Sequence, residues 1–60
     1  MNGRLITIAE AARRVPQLTE PQVRGLIRRR KIEATKVGRR WLIPESEMQR
    51  EFGVLFRAQS

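Results

Sequence analysis

Residues Arg24 to Arg40 read RGLIRRRKIEATKVGRR, and how this stretch is divided decides the fold. It holds eight basic residues (Arg24, Arg28, Arg29, Arg30, Lys31, Lys36, Arg39 and Arg40) against one acid, Glu33. The rest of the 60-residue chain carries five Arg and five Glu, so the whole formal charge of +7 sits in this segment. Its first part, to Arg30, has helical spacing, whereas Ala34 to Ile43 has the character of a hairpin bent at Gly38. A helix followed by a basic hairpin can grip a polyanion in two places. Charge that only solubilises is usually mixed in sign, so the segregation points to nucleic acid before a membrane.

Upstream, Thr19-Glu20-Pro21-Gln22 is a capping box with Gln at the third helical position. Glu20 sits at the positive end of the helix dipole and Pro21 is tolerated in the first turn. Val23, Leu26 and Ile27 form the apolar stripe of this helix, leaving Pro21, Arg24, Gly25 and Arg28 opposite, with Arg29 at the edge. A second capping box, Thr7-Ile8-Ala9-Glu10, opens an earlier helix with Ile8, Ala11, Ala12 and Val15 inward and Glu10, Arg13 and Arg14 outward. The two alanines allow close approach of another helix, and Pro16 ends the segment. Two capped starts joined by the short turn Pro16-Gln17-Leu18 read as a helix-turn-helix, with residues 1–5 as a lead-in.

Downstream, Ile32 returns to the core and Ala34 to Val37 pairs with Arg40 to Ile43. Gly38 stands first in a two-residue loop, as a type II′ turn requires. Val37, Trp41 and Ile43 are assigned to the inward face and Lys36, Arg39 and Arg40 to the outer one. Trp41 is expected as a core anchor rather than a base-stacking platform, worth about 2–3 kcal/mol on burial. Pro44 stops the strand, and Glu45 to Phe52 forms a third helix with Met48 and Phe52 inward and Gly53 after its end. Residues 1–53 are thus read as the domain and 54–60 as an apolar tail. Val54, Leu55 and Phe56 either fold back over the core or, with Leu42, make protein contacts.

The chain has no Cys, His or Asp, which removes disulfides and the usual zinc ligand sets. Its six Glu have no partner placed to activate a nucleophile, so neither catalysis nor a cofactor is expected. Apolar runs are far too short to span a bilayer, and the N-terminus lacks the apolar core of a signal peptide. Neither membrane association nor export is therefore expected.

The segments ITIAEAA (Ile6 to Ala12), VRGLIR (Val23 to Arg28), Lys31-Ile32 and above all KVGRRWLIP (Lys36 to Pro44) resemble excisionase-type winged-helix DNA-binding domains, relatives of the MerR N-terminal domain. The resemblance covers Leu5 to about Phe52. It implies a small α+β fold, a winged helix-turn-helix of two helices, a two-stranded antiparallel wing and a short third helix. It also implies that the second helix enters the major groove of double-stranded DNA while the wing meets the adjoining minor groove or backbone. Carried over by position, the contacts are Thr19, Glu20, Pro21, Gln22, Arg24, Gly25 and Arg28 on the helix, and Lys36, Gly38, Arg39 and Arg40 on the wing. Arg29 joins them from the edge of the helix face.

Family members consisting of this domain alone are often excisionases of phages and integrative elements. The resemblance therefore implies a cytoplasmic, nucleoid-associated protein of a bacterial or phage-infected cell. It would bind adjacent sites beside copies of itself, bend DNA and steer an integrase toward excision. The sequence departs from the family pattern at four places. The turn from Val15 to Thr19 is one residue longer and contains Pro16, Gly25 replaces a frequently basic residue, Arg30 stands where a helix-ending Gly is common, and Leu42 replaces a polar residue. Gly25, costing about 1 kcal/mol in a helix interior, either allows close approach to the groove floor or is a tolerated drift position. The alternatives are a small MerR-like transcription regulator and, from another class, an RNA-binding or scaffolding module.

Overall fold

A computed structural model describes residues 4–57; the first three residues of the lead-in and the last three of the tail lie outside the described residues. The elements run β1 (Leu5–Thr7), α1 (Ile8–Arg13), α2 (Glu20–Arg28), β2 (Thr35–Val37), β3 (Arg40–Pro44) and α3 (Glu45–Phe52), followed by one 3-10 turn at Gly53–Leu55. This is the small α+β architecture of a winged helix-turn-helix, with one strand more than expected. No helix among the described residues is long and apolar enough to cross a membrane.

Both helix starts are set by threonines. The Thr7 hydroxyl accepts from the Glu10 amide at 3.1 Å, while the Glu10 carboxylate reaches Arg14. At Thr19 the box is complete: its hydroxyl accepts from the Gln22 amide, and the Gln22 side chain accepts from the Thr19 amide at 2.9 Å. Between the helices the chain reverses through Gln17, held at a φ of 66°. The Ala11 and Ala12 side chains are buried, which brings α1 and α2 together without displacing Val15 or Val23 from the core.

The end of α2 is a Schellman motif, with the Lys31 amide donating to the Leu26 carbonyl and the Arg30 amide to that of Ile27. Arg30 occupies the left-handed position at a φ of 62°, where glycine is usual. The next residues are tied to α3. The Glu47 carboxylate accepts from the Glu33 amide at 2.9 Å and from Arg50 at 2.6 Å, and Arg50 also donates to the Lys31 carbonyl. Hydrogen bonding from Arg50, and then from the Glu33 amide, holds the Glu47 carboxyl below its ordinary range.

Leu5, at the end of the lead-in, and the two residues after it supply the extra strand. β1 pairs antiparallel with the second edge of β3, giving the order β1-β3-β2 and placing Ile6 opposite Ile43. This satisfies backbone groups that a two-stranded wing would leave unpaired.

The wing's register corrects the facing assigned from sequence. The two-residue loop puts Val37 opposite Arg40, Lys36 opposite Trp41 and Thr35 opposite Leu42. Directly opposed residues share a face, so Lys36 belongs with Trp41 and Ile43, and Val37 lies on the outer face with Arg40 and is exposed. The positive φ at Gly38 alone among the loop residues agrees with the type II′ turn.

The core consists of Ile6, Ala11, Ala12, Val15, Val23, Ile32, Ile43, Met48 and Phe56. Three expectations change here. Trp41 is half-buried and outside this cluster, whereas Ile43, two residues on along the same face, is fully buried in it. Arg14, assigned outward, is buried: its guanidinium pairs with Glu45 at 2.8 Å and Glu10 at 3.3 Å, and its Nε donates to the Arg57 carbonyl. The tail divides, with Phe56 folded into the core while Val54 and Leu55 stay exposed. Phe56 is thus the one residue of the Val54–Phe56 run that joins the core cluster, which reaches past Gly53.

Candidate nucleic-acid interface

The crest of α2 carries Pro21, Arg24 and Arg28, all exposed, with Gly25 between them. Capping places this crest. Thr19 and Gln22, expected as DNA contacts, bond to each other's backbone and fix the first turn. Glu20 pairs with Arg24 at 3.5 Å across one helical turn, and both side chains are about half exposed. Such a pair contributes little to stability but restricts where the Arg24 guanidinium points. Arg29 lies beside Gly25, its guanidinium nitrogens 3.9 and 4.0 Å from where a Cβ would stand.

Two depressions flank the crest. Toward α3, Leu18, Leu26 and Phe52 line an open hollow, with Arg29 and Glu51 at its polar edge. Toward the wing, a groove of about 520 Å³ separates α2 from the hairpin. Arg24, Arg28 and Arg30 supply its basic residues, while Ile27, Ala34 and Trp41 supply apolar surface. The Lys36 ammonium lies 5.6 Å from the centroid of the Trp41 ring, so the wing's inner face adds a further positive charge beside the indole.

At the wing tip Gly38, Arg39 and Arg40 are all exposed. Arg40 shares the outer face with Val37, whereas Lys36 shares the other face with Trp41, so the wing's cations are divided between its two faces. Leu42 is half-buried on the outer face between Thr7 and Thr35. The clasp of Glu47 and Arg50 on Lys31 and Glu33 anchors the connection between α2 and the wing to α3.

The structure thus places Arg24 and Arg28 on one groove, sets Lys36 beside the Trp41 ring that lines it, and leaves Arg39 and Arg40 at the hairpin tip. Sequence reasoning missed Arg30 and Trp41 as groove residues. The register carries the signal for Trp41: a two-residue loop after Val37 forces Lys36 and Trp41 to be partners. For Arg30, the signal is its place just beyond the last helical turn, where the left-handed residue turns the chain back toward the wing.

No curated protein and no solved structure shows a significant match to the chain. A family model described as a helix-turn-helix domain matches residues 5–50. That match spans β1, both helices of the motif, the wing and most of α3. The chain belongs to the helix-turn-helix domain family.

Proposed function

We propose that this protein is a sequence-directed architectural factor for double-stranded DNA, an excisionase of a phage or integrative element. It captures DNA through the basic segment, sets α2 in the major groove and uses the wing to hold the adjoining backbone or minor groove. Neighbouring copies on adjacent sites bend the DNA, and an integrase engages the bent assembly and is steered toward excision. The site of action is bacterial cytoplasm.

The observation that carries the DNA reading is the clustering of Arg24, Arg28 and Arg30 along the groove between α2 and the wing, with Lys36 beside the Trp41 ring on the wing side. The helix-turn-helix family, which includes excisionase-like DNA-binding proteins, supports it. Gly25 on the crest supports the architectural reading, since a helix without a side chain there is suited to close backbone approach. A small MerR-like transcription regulator is the second reading, favoured by the Glu20–Arg24 pair, which presents Arg24 as an oriented donor for a base edge.

A mobility-shift titration on duplex DNA from beside an attachment site separates these readings. Stepwise cooperative shifts with bending are expected. A single discrete shift at a promoter favours regulation, and preference for RNA removes both. If about six phosphates are neutralised, log K falls against log[salt] with a slope of about −5, and a slope near zero sinks the electrostatic account.

A further inference from the structure

The hollow between α2 and α3 is lined on its apolar side by Leu18, Leu26 and Phe52, each half-buried. Just past Phe52 the chain turns at Gly53, with a φ of 57°, and the 3-10 turn leaves Val54 98% and Leu55 54% exposed. Two residues of backbone span at most about 7 Å, so this apolar knob stands beside the hollow. Phe56, buried in the core, holds the knob in place from its other end. Single exposed apolar side chains are ordinary, whereas a projection next to a depression of the same chemistry marks a contact surface.

A knob and a hollow side by side are complementary to a second copy of themselves. A two-fold axis that sends the knob of one chain into the hollow of another returns the second knob to the first hollow. The polar edge of the hollow follows the same rule, since Arg29 and Glu51 stand on it with opposite charges. Among the described residues Arg29 pairs with no carboxylate, and Glu51 pairs only with Arg50 at a loose 3.9 Å. Across the two-fold, each Arg29 meets a Glu51 of the other copy.

We propose that two copies of this chain pair through this face, each seating its Val54–Leu55 turn in the other's hollow, and that the pair is excluded from DNA. The exclusion comes from Pro21 and Gly25, which belong both to the crest of α2 and to the lining of the hollow. A copy filling the hollow covers part of the helix face that enters the major groove. The exclusion rests on the DNA-binding reading above, whereas the pairing does not. The contact surface is small, so pairing is weak and depends on protein concentration. DNA and a second copy therefore compete for one face, and free protein at high concentration is held back from DNA.

Sedimentation equilibrium of the full chain over a range of concentrations measures pairing, and the same series with a duplex too short to contact two chains measures competition. A monomer–dimer equilibrium is expected without DNA, shifting to one chain per duplex as DNA is added. Val54→Glu, at a side chain too exposed to support folding, is expected to weaken pairing by about tenfold or more. Arg29→Glu and Glu51→Arg are each expected to lose pairing alone and to regain it when mixed, because mixing restores opposite charges at both edge contacts. A chain that stays monomeric at every concentration, or a Val54→Glu variant that pairs as the parent does, overturns the proposal and leaves DNA binding standing. Dimers that stay intact on the short duplex overturn the exclusion. Pairing with no binding to any duplex upholds the pair and overturns the DNA reading together with the exclusion.

Discussion

The guanidinium carbon of Arg14 lies 4.2 Å from the centroid of the Phe56 ring, joining the first helix to the last described residues of the chain. Around this contact, the Arg57 amide donates to the Arg14 carbonyl at 2.7 Å and the Arg14 Nε donates back to the Arg57 carbonyl. Residues following α3 therefore close the core from below, stacked on a buried cation neutralised by Glu10 and Glu45. Phe56→Ala is expected to cost roughly 3–5 kcal/mol, comparable to the stability of a domain this small, so its thermal transition by circular dichroism should nearly vanish. Truncation after Gly53 should do the same. A truncated chain that melts like the parent but loses only cooperative DNA binding would instead place Phe56 in a protein interface.

Arg30 and its backbone make a second test. A non-glycine residue held in the left-handed region is strained, and the strain here is set by the Schellman turn that ends α2. Arg30→Gly is expected to raise stability by roughly 0.5–1 kcal/mol in denaturant melts, while duplex affinity falls and the salt slope shrinks by about 1. Loss of both stability and affinity would show that the arginine side chain supports the fold.

Much of this structure was legible in the sequence because its signals are local. The threonine caps at Thr7 and Thr19, the Gly38 turn and the span of α3 each depend on residues within a few positions of one another, whereas the first helix ends at Arg13, short of the stop expected at Pro16. What was not legible depends on partners distant in the chain. Leu5, Ile6 and Thr7 are too few to show alternation, and they are a strand only because β3 offers a second edge. Arg14 has the spacing of an outward residue, yet Glu45 and the tail come from the far end of the chain to cover it. Trp41 and Val37 read as neighbours on one inward face, whereas the register separates them and leaves the indole on the groove lining, paired with Lys36.

Gly25 offers a test free of steric ambiguity in the unbound protein. A Cβ there would meet nothing closer than the Arg29 guanidinium at 3.9 Å, an ordinary contact. Gly25→Ala is therefore expected to stabilise α2 by roughly 0.5–1 kcal/mol. Its affinity for duplex is nevertheless expected to fall, because the added methyl meets the DNA where the crest approaches closely. Unchanged affinity together with the higher melting temperature would remove the close-approach role.

The clasp of Glu47 and Arg50 gives a pH dependence with a definite sign. Hydrogen bonding from Arg50 and from the Glu33 amide lowers the Glu47 pKa from its ordinary 4.5. Folding therefore favours the ionised carboxylate, and the stability it contributes is present above that ordinary value and lost as pH falls through the lowered one. Glu47→Gln is expected to melt below the parent at neutral pH and to converge with it at strongly acidic pH. Its thermal transition should change less steeply over the acid range. Because the clasp holds Lys31 and Glu33 to α3, the variant should also loosen the wing, visible as faster amide exchange at Glu33 while the core amides of α2 stay protected. Parallel acid curves for the two proteins would mean that the ion pair is too well solvated to couple the connection to α3.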